Sequence, residues 1–398
     1  MVARPPILAF DNNSWFSERR NRQQLLSRLA GLGWRVVYSN GPADWWERGS
    51  DRWRQSPRLG SFVKSEGVLI DLPSRLLPRW RRLPLWDKFA VDAHARHLRR
   101  LAGHPAAGQF ILFFFNPMFF EYVRILDPRW VAFHVRDVFP EIPGWDIAHQ
   151  ADYEKLIHQA DLLTVPAPSV TTTLPESERS KARLLLNGAD VQLFKTGSSL
   201  PCPSDLAAIA TPRIGYVGVV SLKIDFELLA ELAKRRPVWQ WVFIGPIPRD
   251  HKGLLGGDPT ATQLWEECLA LPNVHYLGPR PYEELPAYMA HMDVNTQIYR
   301  IDGKRGSWAR YAFPLKLNEY LATGRPVVSC DLKDVRRLRS VVALVDGADA
   351  WERALAEAIE NDGVGTPALR LNVAHQHSWD SRAAELDEWL RDLVRQER

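Results

Sequence analysis

Twice along its length this chain sets a short apolar run, then a helical stretch, then a second apolar run. Ile7-Leu8-Ala9-Phe10 leads through Asn12-Asn13-Ser14 into a helical pattern over roughly 18–31, with Leu25, Leu26 and Leu29 on one face. Gly31 and Gly33 break that pattern before Trp34-Arg35-Val36-Val37-Tyr38. The arrangement returns at Arg213-Ile214-Gly215-Tyr216-Val217-Gly218, helix 225–235 and strand Trp239–Ile244. Strands separated by a helix pair in parallel, because only a long crossover returns the chain to the same sheet end. Further runs fit the alternation: Gln109–Phe115, Trp130–Val135, Leu162–Val165 after helix 148–160, and Leu184-Leu185-Leu186 in the first half. In the second come helix 260–270, Val274–Leu277, helix Tyr282–His291, Val294–Tyr299, Val341–Val345 and helix Ala350–Glu360. The expectation is an α/β chain of two Rossmann-like domains facing a cleft, residues 1–195 and 210–375, joined by a linker at 196–212. A C-terminal helix over 376–398 closes the chain. At 398 residues it is too long for one ordinary core.

Composition narrows the class. Apolar content of 45% and charged content of 25% describe a globular protein, and no stretch approaches the ~18 apolar residues of a membrane helix. Cys202, Cys268 and Cys330 have no metal or redox spacing, and their odd number favours a reducing compartment. The N-terminus enters a β-like run at once, without a signal peptide's apolar stretch. A cytoplasmic location is the expectation. Residues 52–100 carry twelve Lys/Arg against four acids, a local excess of eight, although the whole chain is only +4. Within them Leu76–Trp86 mixes Arg with Trp and Leu. That mixture suits an anionic membrane surface, a diphosphate-linked acceptor or a solvated connector with Trp packed inward. No recognisable nucleic-acid module accompanies it, so nucleic acid is not expected as a partner.

The richest chemical signal is Pro314-Leu315-Lys316-Leu317-Asn318-Glu319, running through Gly324 into Pro326-Val327-Val328. Pro314 suits the first turn of a helix, and Lys316 and Glu319 share one face near its N-terminus. Free N–H groups, the helix dipole and a Lys together suit a phosphate. A Glu one turn on can accept hydrogen bonds from ribose hydroxyls. The same spacing also fits a simple surface ion pair.

This segment resembles the donor-site motif of GT-B glycosyltransferases, of the GT4-like, group 1 type that includes many bacterial polysaccharide enzymes. Members carry Glu, seven residues, then Glu before a Gly-x-Pro-Val-Val strand. The second Glu matches Glu319. The first falls at Tyr311, which is not acidic, and the chain instead resembles a subgroup with Pro-x-Lys, here Pro314 and Lys316. The resemblance covers about 185–380. It implies a nucleotide diphosphate sugar as donor substrate, no cofactor, retention at the anomeric carbon, and a C-terminal helix that crosses back to the first domain.

Other residues fall in the order this resemblance implies. Gly218 ends a strand where a diphosphate can approach the backbone, and Lys223 lies just beyond. Ile244-Gly245-Pro246 and Leu277-Gly278-Pro279-Arg280 also end strands, where ligands bind in open α/β sheets. Arg280 is expected to stack on the base or meet phosphate. In the first domain, His134 ends an apolar strand, where it could take the acceptor hydroxyl's proton or hold the sugar, with Asp137 orienting it. A core or rim histidine is the plainer alternative. Asn116, Arg20 and Arg22 are expected on the acceptor side. No Asp-x-Asp occurs, so a metal clamp is not expected, and no P-loop, Gly-x-Ser-x-Gly or dinucleotide fingerprint is present. The expectation is transfer from a nucleotide sugar to a glycan or lipid-linked acceptor. A non-catalytic sugar-nucleotide or glycan binder, or a phosphorylase or epimerase of the same fold, remain the alternatives.

Overall fold

The computed structural model describes residues 4–106, 108–142, 145–250, 253–301, 307–311 and 313–396. Its contacts divide into two units, Met1–Leu185 with Arg382–Arg398, and Leu186–Ser381.

Among the described residues the first unit holds an eight-stranded sheet. Its strands are β1 (Ile7–Phe10), β2 (Val36–Ser39), β3 (Ser61–Ser65), β4 (Val68–Leu72), β5 (Ile111–Phe114), β6 (Trp130–His134), β7 (Leu162–Val165) and β8 (Ala182–Leu184). The order is β3-β4-β2-β1-β5-β6-β7-β8, parallel except for β3 against β4. Every residue of β1, β2, β5, β6 and β7 is buried, as expected for strands covered on both faces. Helix α1 (Asn21–Gly31) buries Leu25, Leu26 and Leu29. The strand order reverses between β1 and β5, the place where such sheets open a crevice beyond their carboxyl ends.

The stretch 40–105, silent in the sequence, forms the β3–β4 hairpin and helix α2 (Pro84–Leu101). The hairpin turn puts Glu66 at φ 49° and Gly67 at φ 82°. That is the positive-φ pair a tight two-residue turn needs, and Asn-Gly or Asp-Gly would have announced it. Glu66 is instead clamped by Arg19, with Nη1–Oε1 at 2.5 Å and Nη2–Oε2 at 2.7 Å.

In the second unit the sheet comprises β9 (Arg213–Val217), β10 (Gln240–Ile244), β11 (Val274–Gly278), β12 (Val294–Gln297), β13 (Val327–Cys330) and β14 (Ala343–Val345). The order β11-β10-β9-β12-β13-β14 is parallel throughout. Its switch point lies between β9 and β12. Helix α3 (Phe226–Arg235) connects β9 to β10 and buries Phe226, Leu229, Leu232 and Ala233, with Asp225 capping its start through Leu228 N–H. Helix α4 (Leu315–Ala322) connects β12 to β13, and Gly324 at φ 76° lets the chain leave it.

Two boundaries differ from the sequence expectation. Residues 196–212 are not a free linker but part of the second unit. Leu206 is fully buried, and a Cβ at Gly197 would lie 2.2 Å from Pro286 O. The chain enters that unit at Leu186, because Asn187 Nδ2 donates to Phe313 O and Ala189 N to His377 O. The last helix, α5 (Trp379–Arg395), leaves the second unit and ends in the first. There Asp387 accepts from Trp34 Nε1 at 2.7 Å, and Arg183 lies over Trp389.

Candidate functional site

In the second unit three strand ends are zipped together. Gly218 N donates to Ile244 O, Gly245 N to Gly278 O, and Val220 N to Pro246 O, all within 3.0 Å. Gly245 sits at φ 140°, and a Cβ there would lie 2.0 Å from Gly218 O, so no other residue fits this approach. Gly278 also needs its positive φ, 76°. Lys223 is half-buried in the loop after β9, its carbonyl accepting from Arg300 N at 2.7 Å.

Helix α4 is pinned over the end of β9. Tyr320 Oη accepts from Val217 N at 2.8 Å and donates to Val217 O at 3.1 Å. Asn318 Nδ2 donates to Asn187 O, and Asn187 in turn holds Phe313 O, which fixes the chain just before the helix. Pro314 is the cap residue, with extended backbone, and Leu315 is the first helical residue. Lys316 Nζ lies 2.9 Å from Glu319 Oε2, and the Glu319 side chain is 6% exposed. The ion pair allowed by the spacing therefore forms, but in a buried setting rather than in solvent. Tyr282 completes it: its hydroxyl donates to Glu319 Oε1 at 3.0 Å, and Lys316 Nζ lies 5.5 Å from its ring centroid. Nothing in the sequence pattern ties Tyr282 to Glu319, since they come from different helical segments.

The structure thus gathers Gly218, Gly245, Pro246 and Gly278 at one sheet end, with Tyr320 joining the helix of Pro314, Leu315, Lys316 and Glu319 to it. It does not free Arg280. That guanidinium pairs with Asp205 at 2.6 Å and donates to Tyr288 Oη at 2.9 Å and Pro279 O at 2.9 Å, so every nitrogen has a partner within the unit. The expected base or phosphate contact gives way to a brace between β11 and the 203–208 segment.

At the carboxyl end of the first sheet lies a polar cluster around Asp11, which is fully buried beyond β1. Its carboxylate is 3.3 Å from Arg22 Nε and 3.6 Å from Arg136 Nη2. Arg22 Nη2 also donates to Ser14 O and Ser17 Oγ, and Arg136 Nε to Phe115 O. Arg22 is therefore an interior brace for the loop before α1 rather than an acceptor contact. Arg20 stays partly exposed beside Glu18 at 3.3 Å. Asn116 is buried and caps the next turn through Met118 N at 3.0 Å.

His134 ends β6 as expected but its ring is 1% exposed. Nε2 meets Asn21 Nδ2 at 3.2 Å and Nδ1 meets Thr164 Oγ1 at 2.9 Å. The amide nitrogen can only donate, so Nε2 accepts and Nδ1 carries the proton. Burial, helped by the Arg136 charge, pushes the ring's pKa down to about 3. The expected base thus has no free nitrogen in this arrangement. Asp137 does not orient it, because its carboxylate pairs with Arg136 at 3.1 Å.

The basic segment divides in two. The start of α2 leaves Leu83, Leu85, Trp86 and Phe89 exposed beside Arg82 and Lys88. Trp80 instead stacks on Trp45 with centroids 4.7 Å apart.

Residues 211–361 match the family model described as Glycosyl transferases group 1. A curated relative, the putative teichuronic acid biosynthesis glycosyltransferase TuaH of Bacillus subtilis, is 27% identical over 234 residues. That match covers 57% of this chain and 55% of the relative, so the chain spans little more than half the length of the curated relative it matches. Among solved structures, sucrose-phosphate synthase from Thermosynechococcus elongatus aligns with TM-score 0.72 at 16% identity, over 99% of this chain and 100% of that one. Anabaena HepE in complex with UDP and glucose aligns with TM-score 0.68 at 14% identity, over 97% and 99%. The chain has the GT-B fold, and its residues 211–361 are similar to the group 1 glycosyl transferases.

Proposed function

We propose that this protein is a glycosyltransferase that moves a sugar from a nucleotide diphosphate donor to a hydroxyl of a glycan or lipid-linked acceptor in cell-surface polysaccharide synthesis. The observation that carries this is the second-unit site. Three strand ends are hydrogen-bonded together, so close at Gly245 that a Cβ is excluded, and Tyr320 ties them to the helix that presents Lys316 and Glu319, inside the segment matched by the family model.

In this reading the diphosphate lies against Gly218 and Gly245, with the α4 N-terminus and Lys316 meeting its charge and Lys223 nearby. As the anomeric C–O bond breaks, negative charge grows on the leaving diphosphate, and preorganised donors there lower the barrier. Glu319, held by Tyr282, accepts from the ribose hydroxyls through its remaining lone pairs. Retention and independence from a metal belong to the same proposal. The latter rests on the lack of Asp-x-Asp in the sequence. The first unit would handle the acceptor, with His134 positioning Asn21 at the start of α1 and Thr164 in β7 rather than taking a proton. A peripheral site of action at the inner face of a membrane is supported by the exposed apolar and basic start of α2. No helix of the described residues is long and apolar enough to cross a membrane.

Thermal-shift measurements against UDP, GDP and ADP sugars, followed by transfer of labelled sugar to a membrane or glycan fraction, test the proposal. A donor at 100 times its Kd should add about 2.7 kcal/mol of stability. Binding with neither transfer nor donor hydrolysis would favour a sugar-nucleotide-binding protein. No binding to any of them would overturn the donor site.

A further inference from the structure

We propose that the loops after β2 and before α2 form a saccharide subsite for an anionic sugar, with the exposed Trp46 indole as its platform, the Trp45–Trp80 stack as its foundation, and Arg48, Arg81 and Arg82 around it. Naming it an acceptor subsite rests on the glycosyltransferase reading; its affinity for acidic sugars does not.

The foundation is built rather than incidental. Arg79 N donates to Ala43 O at 2.7 Å and Trp45 N to Arg79 O at 2.9 Å, a parallel bridge between two loops far apart in sequence. That bridge sets the Trp45 and Trp80 indoles 4.7 Å apart and within 3° of parallel. Behind it, Arg79 is fastened to Asp87 at 2.8 Å and to Glu121. Glu47 is engaged as well, with Arg52 at 2.7 Å and with Asp44 N. The nearby carboxylates of Asp87, Glu121 and Glu47 pair with Arg79 and Arg52, and the half-buried Asp44 carboxyl, its pKa pushed up to about 6 by burial, lies within electrostatic range of Arg81, Arg79 and Arg52. Arg48 lies 4.5 Å over Trp45 and Arg81 5.9 Å over Trp46. Among the described residues neither of them, nor the exposed Arg82, has a carboxylate within ion-pair distance. Trp46 is 64% exposed.

A pyranose presents an apolar face of C–H bonds that packs on the electron-rich face of an indole, here that of Trp46, because Trp80 and Arg48 cover the two faces of Trp45. Its carboxylate or phosphate substituent then meets guanidinium groups, which suit planar anions. Rigid indoles on a bridged backbone lose little entropy on binding. The position fits as well. This loop follows the carboxyl end of β2, and Asn40 Nδ2 ties it to Asp11 O at 2.8 Å, beside the sheet's switch point. A lipid surface fits less well here, since Trp45 and Trp80 spend faces on each other instead of splaying toward headgroups.

The test measures tryptophan fluorescence and calorimetric binding with two probes, an oligogalacturonate tetrasaccharide and the neutral maltotetraose. The full chain is used, as wild type and as Trp46→Ala, Arg48→Ala and Arg81→Ala. Trp46, Arg48 and Arg81 are exposed, so melting temperatures should stay unchanged and confirm folding. The expected result is binding of the acidic probe at least tenfold tighter than the neutral one, lost tenfold or more in each variant, with nucleotide affinity intact in all of them. Equal affinity for both probes, no binding of either, or unaltered binding in the variants would overturn the proposal. So would displacement of the acidic probe from these residues by anionic vesicles or a single-stranded oligonucleotide at lower concentration. Saccharide binding in a protein that ignores every nucleotide sugar would support this site while failing the glycosyltransferase reading.

Discussion

Tyr282 donates its hydroxyl to Glu319 Oε1 at 3.0 Å, so the carboxylate nearest the α4 N-terminus is positioned by a residue from another segment. Glu319 then offers its free lone pairs in a fixed direction, and Lys316 balances its charge. Removing Glu319 or Lys316 should weaken donor binding or turnover tenfold or more, about 1.4 kcal/mol. Tyr282→Phe should act in the same direction but less, since it leaves the carboxylate in place and removes one hydrogen bond. Calorimetry with the nucleotide sugar that gives the largest thermal shift checks the order. Unchanged affinity and turnover in folded Lys316→Ala and Glu319→Ala would exclude this donor site.

His134 should govern acid stability. Its folded pKa, about 3, lies below the usual histidine value of 6.5. Below pH 6.5 the unfolded chain therefore binds a proton that the folded chain refuses. Stability from this site is full above about pH 6.5 and falls as pH drops toward 3, by at most about 1.4 kcal/mol per pH unit. The melting temperature of the wild type should drop between pH 7 and pH 5. His134→Gln should flatten that slope, and its amide oxygen can still accept from Asn21. His134→Ala should lower stability at pH 7, because it leaves Asn21 and Thr164 without their buried partner. A pH profile identical in wild type and His134→Gln would remove the site from this account.

Helix α4 was legible because its pattern is local. Pro314, Lys316 and Glu319 lie within six residues, and helix geometry alone puts two of them on one face. The strand-end glycines were legible because strands covered on both faces show as unbroken apolar runs. Arg280 and Arg22 misled for the opposite reason. An arginine beyond a strand end or in the first turn of a helix looks the same in sequence whether it awaits a ligand or is met by Asp205 or Asp11. The hairpin at 61–72 hid because its turn uses Glu66, whose positive φ is tolerated beside a clamp from Arg19. Each of these outcomes depends on side-chain contacts made only in the folded chain, which periodicity does not carry.

The brace at Arg280 gives a third expectation. Arg280→Met removes the pair with Asp205 and the hydrogen bond to Tyr288, so it should cost roughly 1–2 kcal/mol of stability. Nucleotide affinity should change less than threefold. Chemical denaturation and calorimetry separate the two effects. A large loss of nucleotide affinity with unchanged stability would return Arg280 to the donor site.

Activity should survive chelation. In the proposed mechanism the charge on the leaving diphosphate is met by Lys316, Lys223 and the α4 N-terminus, so transfer in EDTA should stay within a few-fold of the untreated rate. Complete loss, restored by Mg²⁺ or Mn²⁺, would mean that a cation shares this load.

The membrane expectation now has an address. Leu85 is 87% exposed and Phe89 49% exposed at the start of α2, next to Arg82 and Lys88. Apolar side chains presented this way can enter the headgroup boundary while the cations stay at lipid phosphate. Each basic residue near an anionic surface contributes about 1 kcal/mol, and that part shrinks as salt shortens the reach of the field. Cosedimentation should therefore show binding to vesicles containing phosphatidylglycerol, release by added salt, and little binding to neutral vesicles. Leu85→Asp with Phe89→Ser should abolish binding without lowering the melting temperature, since both side chains face solvent. Trp80→Ala should leave it nearly intact, because that indole is engaged with Trp45. Equal binding to neutral and anionic vesicles, or none to either, would mean that this face of α2 does not meet a charged lipid surface.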